Sequence, residues 1–266
     1  MSDDNGYVTN FINSSNGDKK TGLPSSYKGG AWWSARARWA LSKAYRITKK
    51  EKYLNLYKNI KITDTYSNDI AGLLLLAELE LADLGDQNFI QYLIEKITNG
   101  FEIGSFFKHG SNETSTHMWG YHELEAVARF ARVTTSDKLL KYCISTIDTM
   151  VNDAVQAGYF YSYPEKDREH LCAYCVSPFV RGLYEIYLIS PSEKISSLLN
   201  NSIGWFYGNN YFNATFYDNK SGRCFDGIYS GKVVSDAGAE SAIEAGFCEV
   251  RRLLFKHPKE LNGYVK

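Results

Sequence analysis

The stretch Arg46-Ile47-Thr48-Lys49-Lys50-Glu51-Lys52 ends one run of helical periodicity and opens another. Upstream, apolar residues recur at helical spacing from about Ala31 to Ile47. Downstream, a second helical run goes from Tyr53 to about Ile60. The same event returns at Arg132-Val133-Thr134-Thr135-Ser136-Asp137-Lys138 and at Leu188-Ile189-Ser190-Pro191-Ser192-Glu193-Lys194. A weaker version stands at Asp83-Leu84-Gly85-Asp86-Gln87-Asn88. Each time a helix stops, a short turn follows, and an acidic or polar residue starts the next helix. The turns lie about 37, 49 and 56 residues apart. A constant tight turn with an irregular period means helical hairpins joined by loops of varying length.

The predicted hairpins span roughly 31–60, 68–98, 117–153 and 170–205, and a fifth inner helix runs from Ala237 to about Lys256. No strand-type alternation competes over comparable lengths, and only 101–107 and 211–217 read as short extended loop elements. The chain therefore reads as all-α, with a polar arm over 1–29 and a single domain over 30–266. Tight turns on one face of packed hairpins leave the long loops, 61–67, 99–116, 154–169 and 206–236, on the other. Those loops carry Asp64, His109, Tyr159, Tyr161, Tyr163, Asp167, Glu169, Asp226 and Asp236, with His117 at their edge. Loops converging on a rigid scaffold are where sites normally lie.

Composition narrows the function class. Lysine plus arginine and aspartate plus glutamate number 30 each, so net charge gives no support to a nucleic-acid or anionic-membrane partner. Aromatic residues reach 15%, with 20 tyrosines, and rigid amphipathic rings suit a sugar or peptide cleft as well as helix interfaces. Five cysteines, at 143, 172, 175, 224 and 248, are an odd number in a chain too large to need disulfide staples. The amino terminus MSDDNGYVTNF has neither a basic nor an apolar signal region, and the apolar run Ile70–Leu76 is too short to span a bilayer. A reduced, cytoplasmic protein is expected.

The pattern W-x-x-R-A-x-W-A-L-x-x-A-Y-R-x-T-x-x-x-x-Y-L, here Trp33 to Leu54, resembles the α/α-toroid superfamily, which includes the six-hairpin glycosidases. The segments His117-Met118-Trp119-Gly120-Tyr121-His122-Glu123 and Asp236-Ala237-Gly238-Ala239-Glu240-Ser241 resemble the loop-to-inner-helix starts of such toroids. The resemblance implies a carbohydrate-active protein, a glycoside hydrolase acting on an oligosaccharide or glycoconjugate. In cellulase-type members a glutamate at a comparable late helix start is the general acid, which carried over makes Glu240 the acid here. About nine to ten long helices, where a closed ring of six hairpins needs twelve, imply a shortened or open toroid. The Gly- and Asp-rich early motif that carries the base in cellulase-type members is missing, and Asp3, Asp4 and Asp18 of the arm are poor substitutes. A glycan- or protein-binding toroid without turnover is the alternative.

Inverting glycoside hydrolysis needs one protonated carboxylic acid and one carboxylate base about 6.5–9.5 Å apart. Burial of Glu240 in an apolar helix start would raise its pKa. Asp226 and Asp236 are the first choices for the base, and Asp64, Asp167 and Glu169 the second. The structural account makes Asp236 the cap of the helix that follows it. Trp32, Trp33, Trp119, Tyr121, Tyr163 and Tyr174 are the rings placed to stack on sugar, while Trp39 reads as core. His117 and His122, beside Glu123, suit hydroxyl recognition or a structural role, and their order is not the HExxH of zinc proteases. His170-Leu171-Cys172-Ala173-Tyr174-Cys175 reads three ways: a metal half-site, a redox CxxC, or two small buried thiols. An isoprenoid cyclase would need a DDxxD-like cluster, and none occurs. Neither a phosphate loop nor a GxSxG elbow occurs, and neither cofactor nor metal is expected.

Overall fold

Among the described residues, the tight turns between paired helices are closed mainly by groups that the turn residues supply. In the computed structural model, which describes residues 5–13, 15–23, 26–62, 66–110 and 113–258, helix α1 (Ala31–Thr48) ends on Lys49 in the left-handed conformation. Helix α2 (Glu51–Asn59) follows at once. Helix α3 (Asn68–Leu81) ends in a 3-10 turn, and the Asp86 carboxylate then accepts from the amides of Asn88 and Phe89 to start α4 (Gln87–Thr98). Helix α5 (Glu123–Thr134) ends on left-handed Thr135, and the Ser136 hydroxyl caps α6 (Asp137–Thr146). A π-turn, Ile147–Val151, carries α6 into the short α7 (Asn152–Gln156). Helix α8 (Ala173–Ile189) gives way to α9 (Glu193–Gly204), capped by the Ser192 hydroxyl. The last helix, α10, is Ala239–Lys256. A side-chain cap of this kind contributes about 1 kcal/mol. Asp64, Asp3 and Asp4 lie outside the described residues.

Among the described residues strands are confined to pieces of two or three residues, so the architecture is the expected all-α one. They are β1 (Phe11–Ile12), β2 (Lys19–Lys20), β3 (Thr116–His117), β4 (Ser162–Tyr163), β5 (His170–Cys172), β6 (Tyr217–Asp218), β7 (Arg223–Cys224), β8 (Gly227–Tyr229) and β9 (Lys232–Val234). They correct three expected boundaries. The third hairpin starts at Glu123 and the fourth at Ala173, because 116–117 and 170–172 are strand, and α10 starts at Ala239. Segment 101–107 forms no strand, and of 211–217 only Tyr217 does.

The chain divides into two compact units, Met1–Asn99 and Gly100–Lys266. In the first unit α1 packs on α3 and α2, and α3 on α4. Helix α3 is buried nearly all round, with Leu73–Leu76 inaccessible. Trp39, Leu41 and Tyr45 of α1 pack on the core of Leu54, Tyr57, Ala77 and Leu81. The carboxylates of α3 are paired. Tyr57 donates to Glu78, which also accepts from the Asp86 amide at 3.0 Å, and Arg46 Nε meets Glu80 at 2.8 Å. The arm is tied to this unit: Trp33 Nε1 donates to Val8 O (3.0 Å), and the Lys61 amide to Gly6 O (3.0 Å).

In the second unit α8 is the central helix, packed by α5, α9 and α10. Gly182 lets α5 approach: a Cβ there would stand 2.9 Å from Leu124 Cγ and 3.2 Å from the Glu125 amide nitrogen. Short strands tie the long loops together. Strand β3 pairs with β4, and β5-β8-β9 form an antiparallel sheet in which Cys172 faces Gly227. Gly227 has φ +147°, and a Cβ there would sit 1.8 Å from Leu171 O.

Gly227→Ala is expected to lower stability by at least ~2 kcal/mol, because neither the backbone angle nor the contact tolerates a side chain. Gly246→Ala, inside α10 with nothing within 4 Å, is the opposite case and should gain ~0.5–1 kcal/mol. Urea unfolding midpoints of the two variants check both signs.

Candidate functional site

The β5-β8-β9 sheet, the loop before α5 and the start of α8 enclose a cavity of about 560 Å³ in the second unit. Trp119, Tyr161, His170, Cys172, Tyr174 and Asp226 line it, with Tyr229 at its sheet side. Local backbone bonds set these rings. The Met118 amide donates to Tyr161 O (2.6 Å) and the Gly120 amide to Tyr174 O (3.0 Å), so 117–120 is held against 161 and 174. Trp119 stands edge-on to Tyr174 at 5.6 Å, and His170 edge-on to Tyr229 at 4.8 Å. Burial, and after it the neighbouring Cys172 and Glu240, push the Tyr174 phenol well above its ordinary range.

Asp226 is the carboxylate on the wall. Its Oδ1 accepts from the Gly238 amide at 2.7 Å and from the Ser241 hydroxyl at 2.8 Å, while its own amide donates to Asp236 O at 2.8 Å. The cap position of α10 is Gly238, and the carboxylate that serves this helix start comes from Asp226, twelve residues upstream. The structural account that made Asp236 the cap is thereby corrected, because Asp236 is exposed and contributes its carbonyl. Glu240 stands in the first turn of α10, near Tyr174, and is exposed, so the burial expected for it is absent.

A second hollow of about 400 Å³ lies beside the first, lined by His109, Glu113, Thr116, His117 and Ser162. His117 links the two, its ring 6.0 Å from Trp119 and 6.3 Å from Tyr161. Glu123 is met by His109, with Nδ1 2.6 Å from Glu123 Oε1 and Nε2 2.9 Å from His117 O. Fourteen residues separate His109 from Glu123, so no spacing in the sequence announces the pair.

The other expected site residues lie elsewhere or have structural partners. Trp33 belongs to the first unit, edge-on to Tyr27 at 4.8 Å. Tyr121 is buried and donates to Phe107 O at 2.6 Å. Tyr163 donates to Thr149 O at 3.1 Å and stacks on Phe160. Asp167 accepts from the Glu169 amide at 2.8 Å and stands 3.6 Å from His170 Nδ1. Cys172 and Cys175 place their sulfurs 2.9 Å apart. Among the described residues no three His, Cys, Asp or Glu side chains gather as a metal site.

His122 lines neither cavity. It is buried with Nδ1 3.5 Å from Glu125 Oε2, and burial lowers its pKa. Burial would raise the Glu125 carboxyl, but Arg181, bonded to it at 2.7 Å, outweighs that and with His122 brings it down to about 2.

No protein-family model matches this sequence, and no curated protein sequence matches it. Solved structures do. A GH76 α-1,6-mannanase from Salegentibacter sp. is 13% identical, with a TM-score of 0.62 over 95% of this chain and 94% of that one. The same mannanase, as an inactive variant with two adjacent aspartates replaced, has been seen in complex with α-1,6-mannotetrose. A D-mannose isomerase is 13% identical, with a TM-score of 0.64 over 88% of this chain and 72% of that one. An unsaturated glucuronyl hydrolase specific for heparin is 9% identical, with a TM-score of 0.58 over 94% and 78%. At these identities the likeness is one of fold. The chain has the α/α-toroid fold, as Trp33–Leu54 implied.

Stability should fall with acid in two stages. Below pH ~6.5 the unfolded chain takes a proton at His122 that the folded chain refuses. Between 4.5 and about 2 it takes another at Glu125, a stage worth on the order of 3 kcal/mol. Urea unfolding across this range checks the profile, and His122→Gln should flatten the upper stage and shrink the lower one, because His122 also helps to hold the Glu125 carboxyl down.

Proposed function

We propose that the chain is a carbohydrate-active protein that takes an oligosaccharide into the cavity of Trp119, Tyr161, Tyr174 and Tyr229 and hydrolyses it there. The observation that carries this is the wall itself: aromatic faces with one carboxylate, Asp226, held in place by two hydrogen bonds. Apolar rings and a few fixed polar groups are what a sugar needs, since its faces present C–H and its edges hydroxyls. The fold shared with mannanases and a mannose isomerase supports the reading by analogy only. A balanced charge supports a neutral ligand over nucleic acid, and five free thiols support a reducing compartment such as the cytoplasm.

In the hydrolytic route Glu240 gives its proton to the leaving glycosidic oxygen, and Asp226, through Oδ2, takes one from the attacking water, with Asp236 as the alternative base. His117, whose ring is 6.0 Å from Trp119, and Asp167, 3.6 Å from His170 Nδ1, are then groups for sugar hydroxyls. One observation favours a second reading, a glycan-binding protein without turnover. Glu240 is exposed, whereas acid catalysis at neutral pH draws on burial to keep a carboxyl protonated.

Reducing-sugar release from α- and β-linked oligosaccharides, α-1,6-mannosides included, tests the route. Glu240→Gln should lower kcat by a factor of about 100 or more with sugar affinity nearly unchanged. Trp119→Ala should weaken sugar binding about tenfold, which calorimetry would read. Saturable binding with no turnover on any substrate selects the second reading, and no sugar binding at all overturns both.

A further inference from the structure

On the cavity wall two cysteines stand in a relation that sugar binding does not use. Cys172 ends strand β5 as the residue before α8, and Cys175 lies in the first turn of that helix. Their sulfurs are 2.9 Å apart. A zinc ion bound to both at ~2.3 Å with a tetrahedral angle would hold them about 3.8 Å apart, so the spacing suits sulfur–sulfur chemistry better than a shared metal. Access differs between the two. Cys172 is partly exposed and lines the cavity, while Cys175 is inaccessible to solvent. The other cysteines, Cys143, Cys224 and Cys248, are buried and free. A pair at the start of a helix, with one thiol on a cavity wall and one behind it, has the arrangement that an attacking and a resolving cysteine need.

We propose that Cys172 and Cys175 form a reversible dithiol–disulfide site, oxidised by a low-molecular-weight disulfide that reaches Cys172 through the cavity. The Cys172 thiolate attacks one sulfur of the small disulfide, whose S–S bond breaks and releases one thiol. The Cys175 thiolate then attacks Cys172 Sγ, which breaks the mixed disulfide and releases the second thiol. The two cysteine protons end on the two released thiols. The protein pair loses two electrons and the small disulfide gains them. Tyr174 lies between the two cysteines and lines the cavity, so the new bond ties the cavity wall to the first turn of α8. Burial keeps the Cys172 thiol protonated at neutral pH, so exchange is slow and the site is defined by its equilibrium.

The test equilibrates folded protein with oxidised and reduced glutathione at mildly alkaline pH, until the mass spectrum no longer changes. Digestion and peptide mapping then locate any disulfide. The expected product has lost two hydrogens in a Cys172–Cys175 bond, keeps Cys143, Cys224 and Cys248 free, and returns to the dithiol with excess reduced glutathione. Circular dichroism checks that the fold persists throughout. Cys175→Ser should stop the reaction at a glutathione adduct on Cys172, whereas Cys172→Ser should stop it altogether. The proposal is overturned if the wild-type pair stays reduced against excess oxidised glutathione, if the product stays a mixed disulfide, or if pairing involves another cysteine. None of these outcomes depends on whether a sugar binds.

Discussion

Arg181 has no path to water, and the second unit is built around keeping its charge compensated. The side chain is 1% exposed and bonds Glu125 of α5 through Nε and Nη2, with Glu244 of α10 3.6 Å from Nη1. Ser177, one turn before Arg181 on α8, donates to Glu244 at 2.7 Å, and Phe247 lies against the guanidinium. A buried charge without partners would cost several kcal/mol, and here α5 supplies the close carboxylate and α10 a second one for the arginine of α8. The close α5–α8 approach at Gly182 and the placement of α10 over α8 follow from the same requirement. The cavity inherits this rigidity, since Tyr174 stands on α8 and Asp226 is bonded to the start of α10.

How much of this is legible in the sequence depends on distance along the chain. The hairpin turns are, because their causes are local. Asp86, Ser136 and Ser192 each cap the helix they precede, and the periodicity on either side needs no partner to be seen. The strands are not, because two or three residues carry no alternation to read. The capping of α10 misleads for a related reason. Capping carboxylates are commonly the residue just before a helix, which pointed to Asp236, but the Gly227 contact and the β8–β9 hairpin fold Asp226 back onto the helix start. His109 and Glu123 are invisible for the same reason as Arg181 and Glu125: neither pair has a spacing, only a fold.

The loops are better described as a second scaffold than as connections. Ser145, near the end of α6, and Thr149, in the π-turn, both donate to Ser105 O and pin the loop after α4, and Tyr163 donates to the carbonyl of Thr149 from the next loop. Asn210 binds Trp205 O and Ala214 O and closes the turn after α9 on itself. Backbone polar groups in loops must find partners somewhere, and here short strands and Ser, Thr and Asn side chains provide them.

The pairing of β5 with β8 also sets an order of events. Helical hairpins are contacts between near neighbours in the chain and close quickly, whereas Cys172 must find Gly227 across the whole of α8, α9 and the loop that follows. The cavity is therefore assembled after the hairpins that carry it. During synthesis α5 to α9 can pair while the wall that carries Asp226 is still being made, and the wall gains its anchor only when Gly238 and Ser241 follow it. A chain that stopped before α10 would keep its hairpins and lack its binding site.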